Sequence, residues 1–205
     1  VFLRTQAAHR GTLTELLHTP EEAAAARDQL IAEGYCTSDL IFVEYRAEPV
    51  ANGLYRKLSA FCVDGRVITG MSVHDETWHA KYGKEGVATE ALYKDEYEAV
   101  ETNRHADALA PYFQAANIRF GRADFAIVND RIEMYEVNTN PSNSPIQDHP
   151  FPIRVDADAM FHQRLADAMR AIEMPEGGAP VALDHPDLVS QRKRDRLVRG
   201  ARWVP

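Results

Sequence analysis

GRADFAIVNDRIEMYEVNTNP, residues 121–141, decides how this chain is read. Phe120–Val128 is rich in strand formers, Asn129 and Asp130 are turn residues, and 132–137 is a second strand-forming run. The stretch therefore predicts a β-hairpin. Asp124 lies on its first strand, and Glu136 and Asn138 on its second. Glu136 and Asn138 are two apart and face the same way. The position of Asp124 depends on register. A two-residue loop sets Asp124 opposite Tyr135, away from Glu136. A three-residue loop that includes Arg131 sets it opposite Glu136, so that three oxygen ligands converge with Arg122 on their face. Hard cations such as Mg²⁺ are held by one or two carboxylates, with water and phosphate oxygens completing the shell. A half-exposed hairpin with a solvated polar face is the other reading, and spacing alone leaves both open.

The 205 residues suffice for one large domain or two small lobes, and 45% apolar and 26% charged residues are ordinary for a globular chain. A net charge of −8 argues against nucleic acid as the main partner. Two cysteines, Cys36 and Cys62, suggest a reducing compartment, and a cytoplasmic location is expected. No apolar run approaches the roughly 20 residues that span a bilayer, so no membrane partner is expected. Val1 opens inside the apolar run VFL with no initiator Met, which suggests a fragment with an incomplete N-terminus. A homodimer is a further open expectation.

Along the chain, Val1-Phe2-Leu3 reads as a buried strand ending at Arg4, followed by a small polar loop, TQAAHRGTLT. Thr19-Pro20-Glu21-Glu22 is a helix start with Thr19 as N-cap, Pro20 at N1 and Glu22 closing a capping box; Gly34 ends the helix, with Leu30 and Ile31 on its buried stripe. Strands are expected at 39–46, 54–63 and 66–73, together an antiparallel meander with an Asp64-Gly65 turn. On the second of these, Arg56 and Lys57 point to opposite faces, so at most one serves a given site. The histidines show no zinc-binding spacing. Residues 88–116 are mostly helical, with a stripe of Tyr93, Tyr97 and Val100. Asn103 is expected to cap a second segment with Leu109, Tyr112, Phe113 and Ala116 inward, and Pro111 to kink or restart it. Asp156 is expected to cap a helix with Phe161, Leu165, Met169 and Ile172 on one face. EGGAP at 176–180 reads as a linker, and 188–202 as a basic tail.

In this order the pieces resemble the ATP-binding portion of ATP-grasp proteins, and most nearly that of D-alanine–D-alanine ligases. Val1-Phe2-Leu3-Arg4 resembles the strand ending in a phosphate-binding Lys, with the loop to Thr14 in place of the flexible phosphate loop. Phe42-Val43-Glu44-Tyr45 resembles the hinge strand that meets adenine. Ala80-Lys81-Tyr82 resembles the segment whose Lys reaches the terminal phosphates. Gly121-Arg122-Ala123-Asp124 matches G-R-x-D, and Glu136 to Pro141 matches E-x-N-T-x-P.

The resemblance implies an α+β fold of two lobes with antiparallel sheets enclosing the nucleotide. The ATP-grasp domain would span 1–149 (small lobe about 1–46, large lobe about 47–149), and 150–205 would be a helical extension with the basic tail. It implies ATP and Mg²⁺ as cofactors, with Asp124, Glu136 and Asn138 as metal ligands. Arg4, Lys57, Lys81 and Tyr45 would bind nucleotide, as would one of Glu44 and Glu48, the ribose acid. Lys81 and Arg122 would be catalytic, Arg122 by stabilising an oxyanion. The implied activity is a ligase that phosphorylates a small-molecule carboxylate to an acylphosphate, which an amine or similar nucleophile then displaces. The alternatives are a hydroxyl kinase on the same fold and a non-catalytic nucleotide-binding or docking module. Departures are Arg4 in place of Lys, a single Gly in the phosphate loop, and Ser142 where the ligases have a Gly. On this reading, one face must carry Asp124, Glu136 and Asn138, which calls for an odd-length loop or a bulge near 129–131.

Overall fold

Two short strands, β1 (Phe2–Thr5) and β2 (Leu40–Val43), pair antiparallel with Phe2 opposite Val43 and Arg4 opposite Ile41. This computed structural model describes residues 1–6 and 11–172. Residues 7–10 of the loop after β1, the expected linker at 176–180 and the basic tail lie outside the described residues.

Between β1 and β2 runs α1 (Pro20–Ala32). Thr19 Oγ1 accepts the Glu22 N–H at 3.1 Å, and the Glu22 carboxylate accepts the His18 N–H at 2.7 Å. The helix closes at Gly34, with φ at 100°, where Tyr35 N–H donates to Leu30 and Gly34 N–H to Ile31. Leu30 is buried, but Ile31 is exposed.

The predicted strand at 39–46 is only β2, and it pairs with β1 rather than joining a meander. Beyond Val43 the backbone is irregular through Glu48. Pro49 and the positive φ of Asn52 and Gly53 make a long connection instead of a hairpin turn.

The main sheet follows: β3 (Tyr55–Val63), β4 (Arg66–Thr69), β5 (Val73–Asp75), then α2 (Glu90–Glu101), α3 (Ala106–Ala115), β6 (Phe120–Val128) and β7 (Arg131–Asn138). Strand order is β4-β3-β6-β7, antiparallel throughout, with β5 also on β3. The predicted strand at 66–73 is thus two pieces. Ala60 faces Thr69 while Lys57 faces Val73, so one extra residue bulges between them. Gly70 N–H donates to the Ser59 carbonyl, and Ser59 Oγ donates to the Met71 carbonyl. A Cβ at Gly70 would sit 2.6 Å from Ser59 Oγ, so a side chain there would force the Ser59 hydroxyl to move.

One face of the sheet packs on α3: Leu58, Ala60, Cys62, Ala123 and Phe125 cluster with Leu109 and Phe113. Tyr112 and Ala116, expected inward, are exposed, and α3 runs through Pro111 without interruption. Asn103, at φ 53°, closes α2 instead of capping α3; its amide accepts Thr69 N–H and donates to the Val67 carbonyl. On the opposite face, Phe61, Val63 and Ile68 pack with Val100, Phe161 and Ala168. The latter pair belongs to α4 (Pro152–Arg170). That helix starts at Pro152 in the N1 position, not at Asp156, because proline's fixed φ suits the first turn. Met169 and Ile172, expected on its buried stripe, are exposed. Helix α4, which the sequence reading set apart at 149/150, packs on α2, β3 and β4 within the unit Val1–Ile172. No helix among the described residues is long and apolar enough to cross a membrane.

His74 on β5 is buried against the Tyr93 ring. Burial first, then the charges of Arg56 and Arg154, push it down to about 4. The unfolded chain takes up this proton near pH 6.5, whereas the folded chain refuses it until about 4. The stabilisation is therefore complete above pH 6.5 and is lost as pH falls toward 4, a difference worth roughly 3 kcal/mol. In urea titrations from pH 7 to pH 4, His74→Leu should remove about that much of the wild-type acid loss; parallel curves would refute the assignment.

Candidate functional site

Val128 pairs with Arg131, and Asn129 and Asp130 have φ of 49° and 58°. This is a two-residue type I′ turn, whose twist matches the flanking strands. Alone it would set Asp124 opposite Tyr135. A β-bulge between the Asp124 and Phe125 pairings absorbs Tyr135 instead: Phe125 faces Met134, Asp124 faces Glu136, and Arg122 faces Asn138. The convergence holds, but the expected device is corrected. The loop is not odd-length, and the bulge lies at Tyr135 rather than near 129–131.

Strand β3 completes the row. Ser59 faces Asp124 and Phe61 faces Arg122, so Lys57 points to the same side. Asp124 is only 2% exposed. Lys57 Nζ lies 2.9 Å from its Oδ2, and Arg122 Nε donates to its Oδ1 at 2.8 Å. Arg56, on the other side of β3, pairs with Asp95 at 2.6 Å. Of the two basic neighbours, Lys57 is therefore the one that meets Asp124. Glu136 is exposed and has no hydrogen-bond or ion-pair partner among the described residues. Asn138 Oδ1 accepts the Asn140 N–H at 2.9 Å.

This row lines a cavity of about 960 Å³ between the two sheets. Phe2, Arg4 and Val43 of the small sheet line it too, with Glu44, Tyr45 and Arg46 of the irregular link. Trp78 ties the loop after β5 to this wall: its ring centroid lies 4.9 Å from that of Phe2 and 5.4 Å from that of Tyr45, and its Nε1 donates to Glu15. Lys81, from the same loop, lines the cavity with its ammonium beside Gly11, and its carbonyl accepts from Lys57 Nζ at 3.1 Å. The Tyr45 hydroxyl is buried, and burial first, then the neighbouring Tyr55, pushes its phenol up. Glu44 lines the cavity and pairs with Arg46 at 3.0 Å. Glu48 is exposed and is not part of the lining, so only Glu44 of the two candidate acids reaches the site.

The donor set of two carboxylates and an amide oxygen suits a hard cation. Among the described residues there is no cluster of three or more His, Cys, Asp or Glu that would hold a metal. The third oxygen of the row, beside the Asp124 and Glu136 carboxylates, is the amide of Asn138. Sequence reasoning missed Asp158, Phe161, Ile146 and Tyr135, which also line the cavity. The signal for Asp158 was a carboxylate next to Phe161 on a helix with an apolar stripe. A scan against protein-family models finds no match, and a search of curated proteins finds none.

Lys57 acts as a tethered counter-ion for a buried carboxylate. Lys57→Met should lower the unfolding free energy by about 2 kcal/mol or more, the order for breaking one of two buried pairs. Excess MgCl₂ should recover part of the loss, because a cation then replaces the ammonium. Denaturant melts with and without MgCl₂ check both outcomes.

Proposed function

We propose that this chain is an ATP-grasp protein that uses Mg·ATP to activate a carboxylate for attack by an amine. The observation that carries this reading is the row in which Asp124 faces Glu136 and Arg122 faces Asn138, lining one cavity with Arg4 and Lys81. The division into a two-stranded lobe and a larger antiparallel lobe, joined by the irregular 44–48 link, supports the fold.

In this reading the link from Glu44 to Arg46 offers backbone groups and the Tyr45 ring to the adenine, and Glu44 takes the ribose. Arg4 and Lys81 hold phosphate oxygens. Asp124, Glu136 and Asn138 hold the metal, which when bound neutralises charge on the phosphates. Lys57 and Arg122, now on Asp124, are released to the incoming anion. The terminal phosphoryl group moves to a carboxylate oxygen as its bond to ADP breaks. The amine nitrogen then bonds to the carbonyl carbon, phosphate leaves, and the amine gives its proton to solvent. Arg122 stabilises the oxyanion. Phosphoryl transfer needs chiefly positioning and charge neutralisation, which these residues supply.

Mg·ATP should raise the melting temperature of the full chain, by the equivalent of about 2.7 kcal/mol at a hundredfold excess over Kd. Glu136→Gln should weaken Mg·ATP roughly tenfold, as expected for losing one charged contact. ADP release with mixed acids and amines then separates the chemistries: free phosphate marks a ligase, and a stable phosphoester a kinase. A melting curve unmoved by Mg·ATP would sink the reading.

A further inference from the structure

We propose that the end of the cavity closed by α4 is a subsite for a molecule carrying an ammonium group on an apolar stem, recognised by Asp158. The identification of that molecule as the amine acceptor rests on the ligase reading above; the subsite itself does not.

Asp158 is 4% exposed and lines the cavity. Its Oδ2 accepts the Ile146 N–H at 2.9 Å and lies 3.1 Å from His162 Nδ1. His162 Nδ1 also lies 2.9 Å from the Asp158 carbonyl, and His162 Nε2 is buried without a partner. Asp158 Oδ1 takes no hydrogen bond among the described residues, and no Lys or Arg pairs with the carboxylate. Asp124, equally buried in the same cavity, has two cations on it. The Ile146 N–H and His162 Nδ1 both meet Oδ2, and no Lys or Arg among the described residues stands on the carboxylate as two cations stand on Asp124. A buried carboxylate is costly without a counter-charge, and the cavity is the side from which one can arrive.

The neighbouring wall sets the ligand's shape. Phe61, Met71, Ile146 and Phe161 line the cavity with Asp158. A divalent ion would want further carboxylates, and Asp158 is the one acid that α4 brings to the lining, beside Phe161 of the same helix. An ammonium satisfies the charge, and its stem covers the apolar surface. The subsite is also near the chemistry. Arg122 donates to the Ser142 carbonyl at 3.3 Å, and Asp158 holds Ile146. The chain between those anchors spans at most about 14 Å.

The test is protein-detected NMR on the full chain, with pentylammonium chloride and 1-pentanol as probes. The signals followed are the Ile146 amide and the Met71 methyl. Pentylammonium should shift both saturably at a concentration at least tenfold lower than 1-pentanol, and Asp158→Asn should abolish that preference. Equal responses to the two probes would overturn the proposal and leave Asp158 as a tether for the 142–146 loop. A preference that survives in Asp158→Asn would overturn it too. If that variant does not fold, the two-probe comparison on the wild-type chain decides alone. A Mg·ATP melting shift on the same sample reports separately on the ligase reading. An ammonium preference without a nucleotide shift would keep the subsite and remove the ligase.

Discussion

One extra residue in β7 determines what the cavity contains. The type I′ turn at Asn129 and Asp130 gives the twist that antiparallel strands favour, but it also sets an even register. Side chains alternate faces along a strand, so a slip of one residue exchanges the faces completely. Without the bulge at Tyr135, Glu136 and Asn138 would turn into the cluster of Leu109, Phe113 and Phe125, at a cost of several kcal/mol for unpaired polar groups. With it, Ile132, Met134 and Val137 all pack on that cluster while the polar residues face the cavity. Hydrophobic burial and site assembly thus select the same register. The second bulge, between β4 and β5, lies on the other side of β3, beside Ser59 and Lys57. Both irregularities flank the row through Asp124, and bulges are a common means of re-aiming side chains beside sites.

Asp124 gives the row its electrostatic centre. Burial would make its charge untenable alone, and Lys57 and Arg122 make it tolerable. Each of those cations also reaches a loop: Lys57 the carbonyl of Lys81, and Arg122 the carbonyl of Ser142. One carboxylate therefore fixes two loops that come from opposite ends of the sheet. The geometry of both loops is thus tied to a single buried group.

What was legible in the sequence was local. The Thr19 cap, the Gly34 stop and the two strands of the hairpin depend on neighbours a few residues away, and each formed as the residues dictate. The register was partly legible: the apolar positions Ile132, Met134 and Val137 step by two and then by three, which is the imprint of a bulge. The pairing of β2 with β1 was not legible, because two strands joined by α1 leave no turn signal. Asn103 was misassigned because the same residue type serves at helix starts and, in the left-handed region, at helix ends. Choosing Glu44 over Glu48 required knowing where the chain leaves β2. The place of Asp158 was obscured because Asp156 reads as a helix cap while Pro152 is the true first residue.

That last misreading matters most for function. With the helix beginning at Pro152, Asp158 and Phe161 fall one turn apart on the side facing the sheet, and α4 becomes a wall of the cavity. The Ser142–Ile146 loop is then held at one end by a guanidinium on the sheet and at the other by a carboxylate on the helix. A loop fixed by two opposite charges, each itself lining the cavity, cannot shift without exposing one of them. A ligand with an anionic group toward Arg122 and a cationic group toward Asp158 would match both. The sheet wall carries Lys57 and Arg122 together with Asp124 and Glu136, and the helix wall carries Asp158, so the cavity presents charge of both signs.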